Sequence, residues 1–199
     1  MARTVDPERH RARRLQIIDA ALTCFAAHGY SGTTTAELCR VAGIGSGTFF
    51  HYFPTKQSLL LAILGLGTTE TAEWFAGQDP SADPRAVVEA YVRHAAEEYA
   101  DPRIGGFVRA VGAVMGEPEV EAALADDTRV LRDGLRPWLA AAREAGQVRS
   151  DLSADDLTDW VLVVLDGYLG RLATSDTFTA ASQNATLTET VDRLLAPAQ

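Results

Sequence analysis

Residues 29–60 read GYSGTTTAELCRVAGIGSGTFFHYFPTKQSLL, and the local signals in this stretch decide the fold. Thr34 followed by Glu37 is a capping-box pattern, so a short helix is expected from Thr35 to about Ala42, stopping at Gly43, which can take the left-handed cap. A second short helix fits Ser46 to Phe53, because Pro54 blocks its continuation. Thr55 then caps a further helix that starts at Lys56, carries Leu59, Leu60, Ile63, Leu64, Trp74 and Phe75, and runs to Gly77, with Gly65 and Gly67 weakening its middle. Upstream, Leu15, Ile18, Leu22 and Phe25 recur at helical spacing and end at His28-Gly29, which predicts a first helix preceded by a polar arm. Two short helices with a glycine-containing turn between them, behind a capped first helix, describe a helix-turn-helix whose second helix is sized for a DNA major groove.

The remainder is also helical in pattern. After a loop at 78–84, helices are expected over Arg85 to Tyr99, Pro102 to Met115, Glu117 to Ala145 (kinked or restarted at Pro137), Asp155 to Ser175, and Leu187 to Leu195. No run of period-two alternation is long enough for a strand, so the fold class is all-α. The division that follows is an N-terminal arm and three-helix helix-turn-helix domain over 1–55, and a larger helical ligand-binding and dimerisation domain over 56–199.

Composition fits this division. The 199 residues are 47% apolar, which is globular, and carry a net charge of -9. That charge is uneven: residues 1–60 sum to +3 and residues 61–199 to -12. A basic head on an acidic body places a polyanion at one end only. The basic stretch before residue 15 is not followed by an apolar segment, and the longest apolar candidate, Leu157 to Ala173, contains Asp159, Asp166 and Arg171, so neither a signal peptide nor a membrane span is expected. Cys24 and Cys39 alone make neither a disulfide framework nor a metal spacing, which points to a reducing cytoplasm and to core packing for both.

Residue types in the short helices suit a duplex. Ser46 and Thr48 are small enough for close approach and can hydrogen-bond bases or phosphates. Lys56 sits at a helix N-terminus, where free amides already favour a phosphate, and Thr34 and Thr35 are placed likewise. Phe49 and Phe53, four apart, should face the core, leaving Phe50 and Tyr52 off that face. The Arg9 to Arg14 cluster is a solvated arm that could reach phosphate or the minor groove.

With helix 1 included, residues 12–62 resemble the DNA-binding region of the TetR (tetracycline repressor) family: a Gly-aromatic pair, a Thr-Thr pair, Ala-Gly-hydrophobic, Gly-Thr, an aromatic-rich recognition helix and a downstream Lys come in that order. The resemblance implies phosphate contacts from Thr34 or Thr35, Tyr52 and Lys56, and base contacts from Ser46, Gly47, Thr48 and His51. Two positions depart from the pattern. Phe50 stands where a phosphate-binding Tyr is usual, leaving its ring to touch a thymine methyl, and Gly45 stands where Ser or Thr commonly caps the recognition helix.

The resemblance further implies a dimeric regulator, most simply a repressor that binds a palindromic operator and is released by a small, largely apolar molecule. Its cavity would lie in the acidic bundle, with Phe107, Met115 and Tyr168 as lining and Arg109 as polar anchor. The segment around Trp160, Val164, Gly167, Tyr168 and Leu172 is apolar on nearly every face and needs cover on two sides, so with Leu194 it is the expected dimer interface. No cofactor or metal is expected: His94, Glu97 and Glu98 read better as a polar helix face, and no nucleophile or convergent carboxylate pair suggests an enzyme. A helical interaction adaptor with a degenerate helix-turn-helix is the alternative reading.

Overall fold

The computed structural model describes residues 6–197, and every regular element among them is an α-helix. These are α1 (Pro7–Gly32), α2 (Thr35–Ala42), α3 (Ser46–Tyr52), α4 (Lys56–Ala76), α5 (Pro84–Glu98), α6 (Ile104–Gly112), α7 (Pro118–Glu144), α8 (Ala154–Thr174) and α9 (Ala180–Leu195). The all-α expectation holds, and α2 matches the expected span.

Four differences have physical causes. Most of the expected arm is helix: Asp6 caps α1 by accepting from the amides of Glu8 and Arg9, and Pro7 occupies the first turn, where its missing N–H costs nothing. Residues 1–5 of that arm lie outside the described residues. Gly29, with φ 70°, breaks α1 where an end was expected, and one more turn follows. Pro137 lies inside an unbroken α7 rather than restarting it. Finally, α9 begins at Ala180, seven residues before the apolar pattern starts, because its polar first turns hold it by other means: Asn184 accepts from Tyr168 at 2.5 Å and donates to the carbonyl of Ala96 at 2.6 Å.

Two buried clusters form the interior. One gathers Ile17, Ala21 and Phe25 of α1, Leu38 of α2, Phe49, Phe53, and Leu59 and Leu60 of α4, together with Ala110 and Val111 of α6. The other joins Val88 and Tyr91 of α5, Leu135 and Leu139 of α7, Leu157, Val161 and Leu165 of α8, and Leu187, Val191 and Leu195 of α9. Between them α6 is wedged against both α1 and α8. Two glycines allow this: a Cβ on Gly106 would stand 2.3 Å from the carbonyl oxygen of Ala26, and one on Gly105 would stand 2.5 Å from that of Leu172. Arg103, just before α6, fixes the same junction by reaching Asp19 at 2.7 Å and Thr23 at 3.0 Å.

Candidate DNA interface

The helix-turn-helix is built from the capping signals. Thr34 accepts from the Glu37 amide at 3.2 Å, but only half the box forms, since the Glu37 carboxylate turns to His28 at 3.2 Å instead. Gly43 closes α2 with φ 63° and ψ 39°, a conformation costly for any residue with a Cβ, and the Ile44 amide donates back to Cys39. Gly45 leads into α3 with no side-chain cap. Gln16 of α1 donates to the carbonyl of Ala42 at 2.8 Å, so the turn is tied to the first helix.

This holds α3 with one face in and one face out. Phe49 and Phe53 are buried in the core. Gly45, Ser46, Gly47, Thr48, Phe50 and His51 are exposed, Phe50 with 52% of its surface free. From Gly45 to Thr48, at the N-terminal end of that face, no side chain is larger than threonine, so backbone can come close to whatever it meets. Thr34 is exposed and Thr35 half-buried at the start of α2.

Three contacts were not anticipated. The ring of Tyr52 packs on that of His10, centroids 4.6 Å apart, so the start of α1 supports the end of α3, and the Arg14 guanidinium lies over the Phe53 ring at 5.4 Å. Only the Asp6-Pro7 start signal could have revealed them, because the first turns of α1 lack apolar periodicity. Lys56 is also more engaged than expected: its ammonium donates to the carbonyls of Tyr30 at 2.7 Å and Thr33 at 2.8 Å and lies over the Tyr30 ring at 4.3 Å. Burial there pulls its pKa below the ordinary lysine range. Two of its three N–H donors thus staple α4 to the end of α1, leaving one for another acceptor.

The structure separates the four residues expected to line a cavity. Phe107 is buried in the cluster with α1, and Met115 is 57% exposed in the turn after α6. Tyr168 is buried against α9, stacking on Tyr99 with centroids 6.1 Å apart. Arg109 donates to the carbonyl of Ala173 at 2.8 Å, and only it of the four borders the cleft of about 370 Å³ that also includes Tyr99, Leu172 and Phe178. On α8, Trp160 and Val163 are 51% and 55% exposed, Gly167 is exposed with open space beside it, and Val164, Leu172 and, on α9, Leu194 are half-buried. Among the described residues no helix is long and apolar enough to cross a membrane.

Known proteins share both halves of this design. Residues 17–63 match the model of bacterial regulatory proteins of the tetR family, and residues 80–196 match that of the BetI-type transcriptional repressor C-terminal region. The HTH-type transcriptional repressor AcnR of Corynebacterium efficiens is 29% identical over 177 residues, covering 89% of this chain and 90% of that one. AcnR of Corynebacterium glutamicum is 28% identical over 176 residues, covering 88% and 90%. A TetR transcription regulator from Haloarcula marismortui has the same fold, with a TM-score of 0.79 at 17% identity over 93% of this chain and 97% of that one. Proteins of this kind are regulators rather than enzymes, and their repressors bind DNA operators and typically act as dimers. With one of the two models spanning more than half its length, the chain belongs to the tetR family of bacterial regulatory proteins and carries a C-terminal region of the BetI-type repressor kind.

Proposed function

We propose that this regulator binds a palindromic operator as a homodimer in the cytoplasm, with the leading edge of α3 in the major groove, and that a small molecule in the helical body releases it. The observation that carries the reading is the division of α3: Phe49 and Phe53 anchor it, while Ser46, Gly47, Thr48, Phe50 and His51 stand free. Ser46, Gly47, Thr48 and His51 read bases, and Phe50 meets a thymine methyl. Thr34 or Thr35, Tyr52 and the remaining donor of Lys56 hold phosphates. The division of labour falls at 55/56, with α4 joining the reading head to the sensing body.

The second copy packs on α8 and α9. Trp160, Val163 and Gly167 are exposed along α8, with half-buried Val164 among them, beside a groove shared with Thr186, Leu187 and Thr190 of α9. Two such faces make a four-helix bundle about a two-fold axis. Val163→Glu, exposed in the single chain, is expected to leave the monomer folded and place like charges across the axis; sedimentation should then show monomers at micromolar concentration, and an unchanged dimer would place the interface elsewhere.

Ligand acts by favouring one orientation of α4, which changes the separation of the two α3 helices, and it can do so only as far as its affinity for the two states differs. Selecting bound duplexes from a random pool tests the reading as a whole. An inverted repeat with half-sites about 34–36 Å apart, or a multiple of that, is expected; a pool that yields no enriched sequence contradicts it.

A further inference from the structure

Most arginines of the helical body hold a carboxylate, as Arg85 holds Glu89, Arg103 holds Asp101 and Arg136 holds Asp155. Arg109 does not. It has no carboxylate partner among the described residues. Its guanidinium gives one N–H to the carbonyl of Ala173 at 2.8 Å, and the residue is otherwise exposed, on the wall of the cleft of about 370 Å³. That volume lies within the roughly 300–1,000 Å³ of small-molecule sites.

The cleft opens where α6 meets the end of α8 and the start of α9. Tyr99, Leu172 and Phe178 give it apolar and aromatic surface. Its acidic residues do not cancel Arg109: Asp101 is held by Arg103 at 2.7 Å, and Asp176 is exposed to water, where its charge is screened. The first turn of α9, at Ala180 and Ala181, borders the same space without a side-chain cap, so its positive dipole end adds to the guanidinium.

We infer that this cleft takes a small organic anion, a carboxylate on an aliphatic or aromatic body, as the effector of the regulator proposed above. The free N–H groups of Arg109 donate to the carboxylate oxygens in the paired geometry that a guanidinium favours. The body of the ligand covers Tyr99, Leu172 and Phe178 and removes their apolar surface from water. A cation finds only the exposed Asp176, and a neutral alcohol forgoes the charge-assisted bond.

The place of the cleft gives such a ligand a route to the reading head. Its walls include Gly105 and Gly106, the residues at which α6 comes closest to α8 and α1. The second of these contacts has no slack, since a Cβ on Gly106 would stand 2.3 Å from the Ala26 carbonyl oxygen. In turn, α1 supports both ends of the DNA-facing unit, through His10 on Tyr52 and through the Tyr30 carbonyl on Lys56. An occupant that spreads α6 from α8 therefore shifts the head through α1, and it favours release as far as it prefers that state.

The inference rests on the operator-release reading, and one experiment on the full-length protein separates the two. Hydrocinnamate and the straight-chain carboxylates from butanoate to octanoate are titrated, with hydrocinnamyl alcohol, octanol and octylamine as neutral and cationic controls. Calorimetry follows binding, and a selected duplex reports release. The proteins are the wild type, Arg109→Gln, which keeps a donor for Ala173 and loses the charge, and Ala181→Phe, which fills the cleft from an exposed position and keeps the charge. At least one carboxylate is expected to bind the wild type and release the duplex, with the controls doing neither. Both variants are expected to bind it about tenfold or more weakly while holding the duplex as the wild type does. No carboxylate binding, an equal response to the controls, undiminished binding by Arg109→Gln, or binding that leaves the duplex in place overturns the inference. Should Arg109→Gln fail to fold, Ala181→Phe decides, because undiminished binding there puts the ligand outside the cleft. Failure of the ligand-free protein to bind any duplex overturns the operator reading instead, and calorimetry still reads the cleft.

Discussion

Replacing Gly106 by alanine is expected to lower the melting temperature by roughly 6–12 °C. The added methyl would meet the backbone of α1 at Ala26, with 2.3 Å to the carbonyl oxygen and 2.9 Å to Cα, and neither atom can swing aside as a side chain would. Overpacking of this kind costs about 3 kcal/mol at the upper end of its usual range, and each kcal/mol shifts a chain of this size by about 2–4 °C. The variant can recover only by letting α6 retreat from α1, which also loosens the junction held by Arg103 and Asp19. Gly112→Ala is the control: it is on the same helix, an added Cβ there meets nothing within 4 Å, and its stability should be unchanged or slightly higher. Thermal melts of the two variants check the claim, and a Gly106→Ala protein as stable as the wild type would show that α1 and α6 are not in the described close contact.

The largest expected effect on function comes from Thr48→Asp. Thr48 is exposed and lies in the first turn of α3, where a negative side chain suits the helix dipole, so the fold should be as stable as before or slightly more so. At a duplex the same charge faces phosphates and replaces a group able to hydrogen-bond a base. A lost base contact costs about 1–3 kcal/mol, and a dimer loses two, so operator affinity should fall roughly 30-fold to 10⁴-fold. Binding curves on a selected operator, run beside thermal melts, separate this from unfolding. An operator affinity within a factor of about two of wild type would remove Thr48 from the interface.

The N-terminal half was legible because its signals are local. Thr34 and Thr55 act through hydroxyls on amides three residues on, Gly43 and Pro54 through their own backbone, and each lies at a boundary the structure retains. The spacing of Phe49 and Phe53 likewise named the buried face of α3. Where the outcome depended on distant partners, the sequence was silent. Nothing local says that His10 will stack on Tyr52, or that Lys56 will give two donors to the end of α1. The polar start of α9 carries no apolar period, and its place is set by Asn184 bridging Tyr168 and Ala96. The expected cavity residues were chosen by size, and size does not say which neighbour each will meet: Phe107 joins the cluster with α1, Tyr168 bonds to Asn184 of α9, and Met115 is exposed. Cys24 and Cys39 fill buried positions as free thiols, and burial pushes Cys24 up, away from reactivity.

The central claim, that the free edge of α3 belongs in a DNA groove, is tested most directly by the salt dependence of duplex binding. Each phosphate neutralised contributes about -0.9 to the slope of log affinity against log salt concentration, and a dimer holding six to ten phosphates would give roughly -5 to -9. A slope in that range, shared by specific and random duplexes while only the specific one binds tightly, is the predicted result. No binding even at low salt, or binding indifferent to salt, would contradict the account.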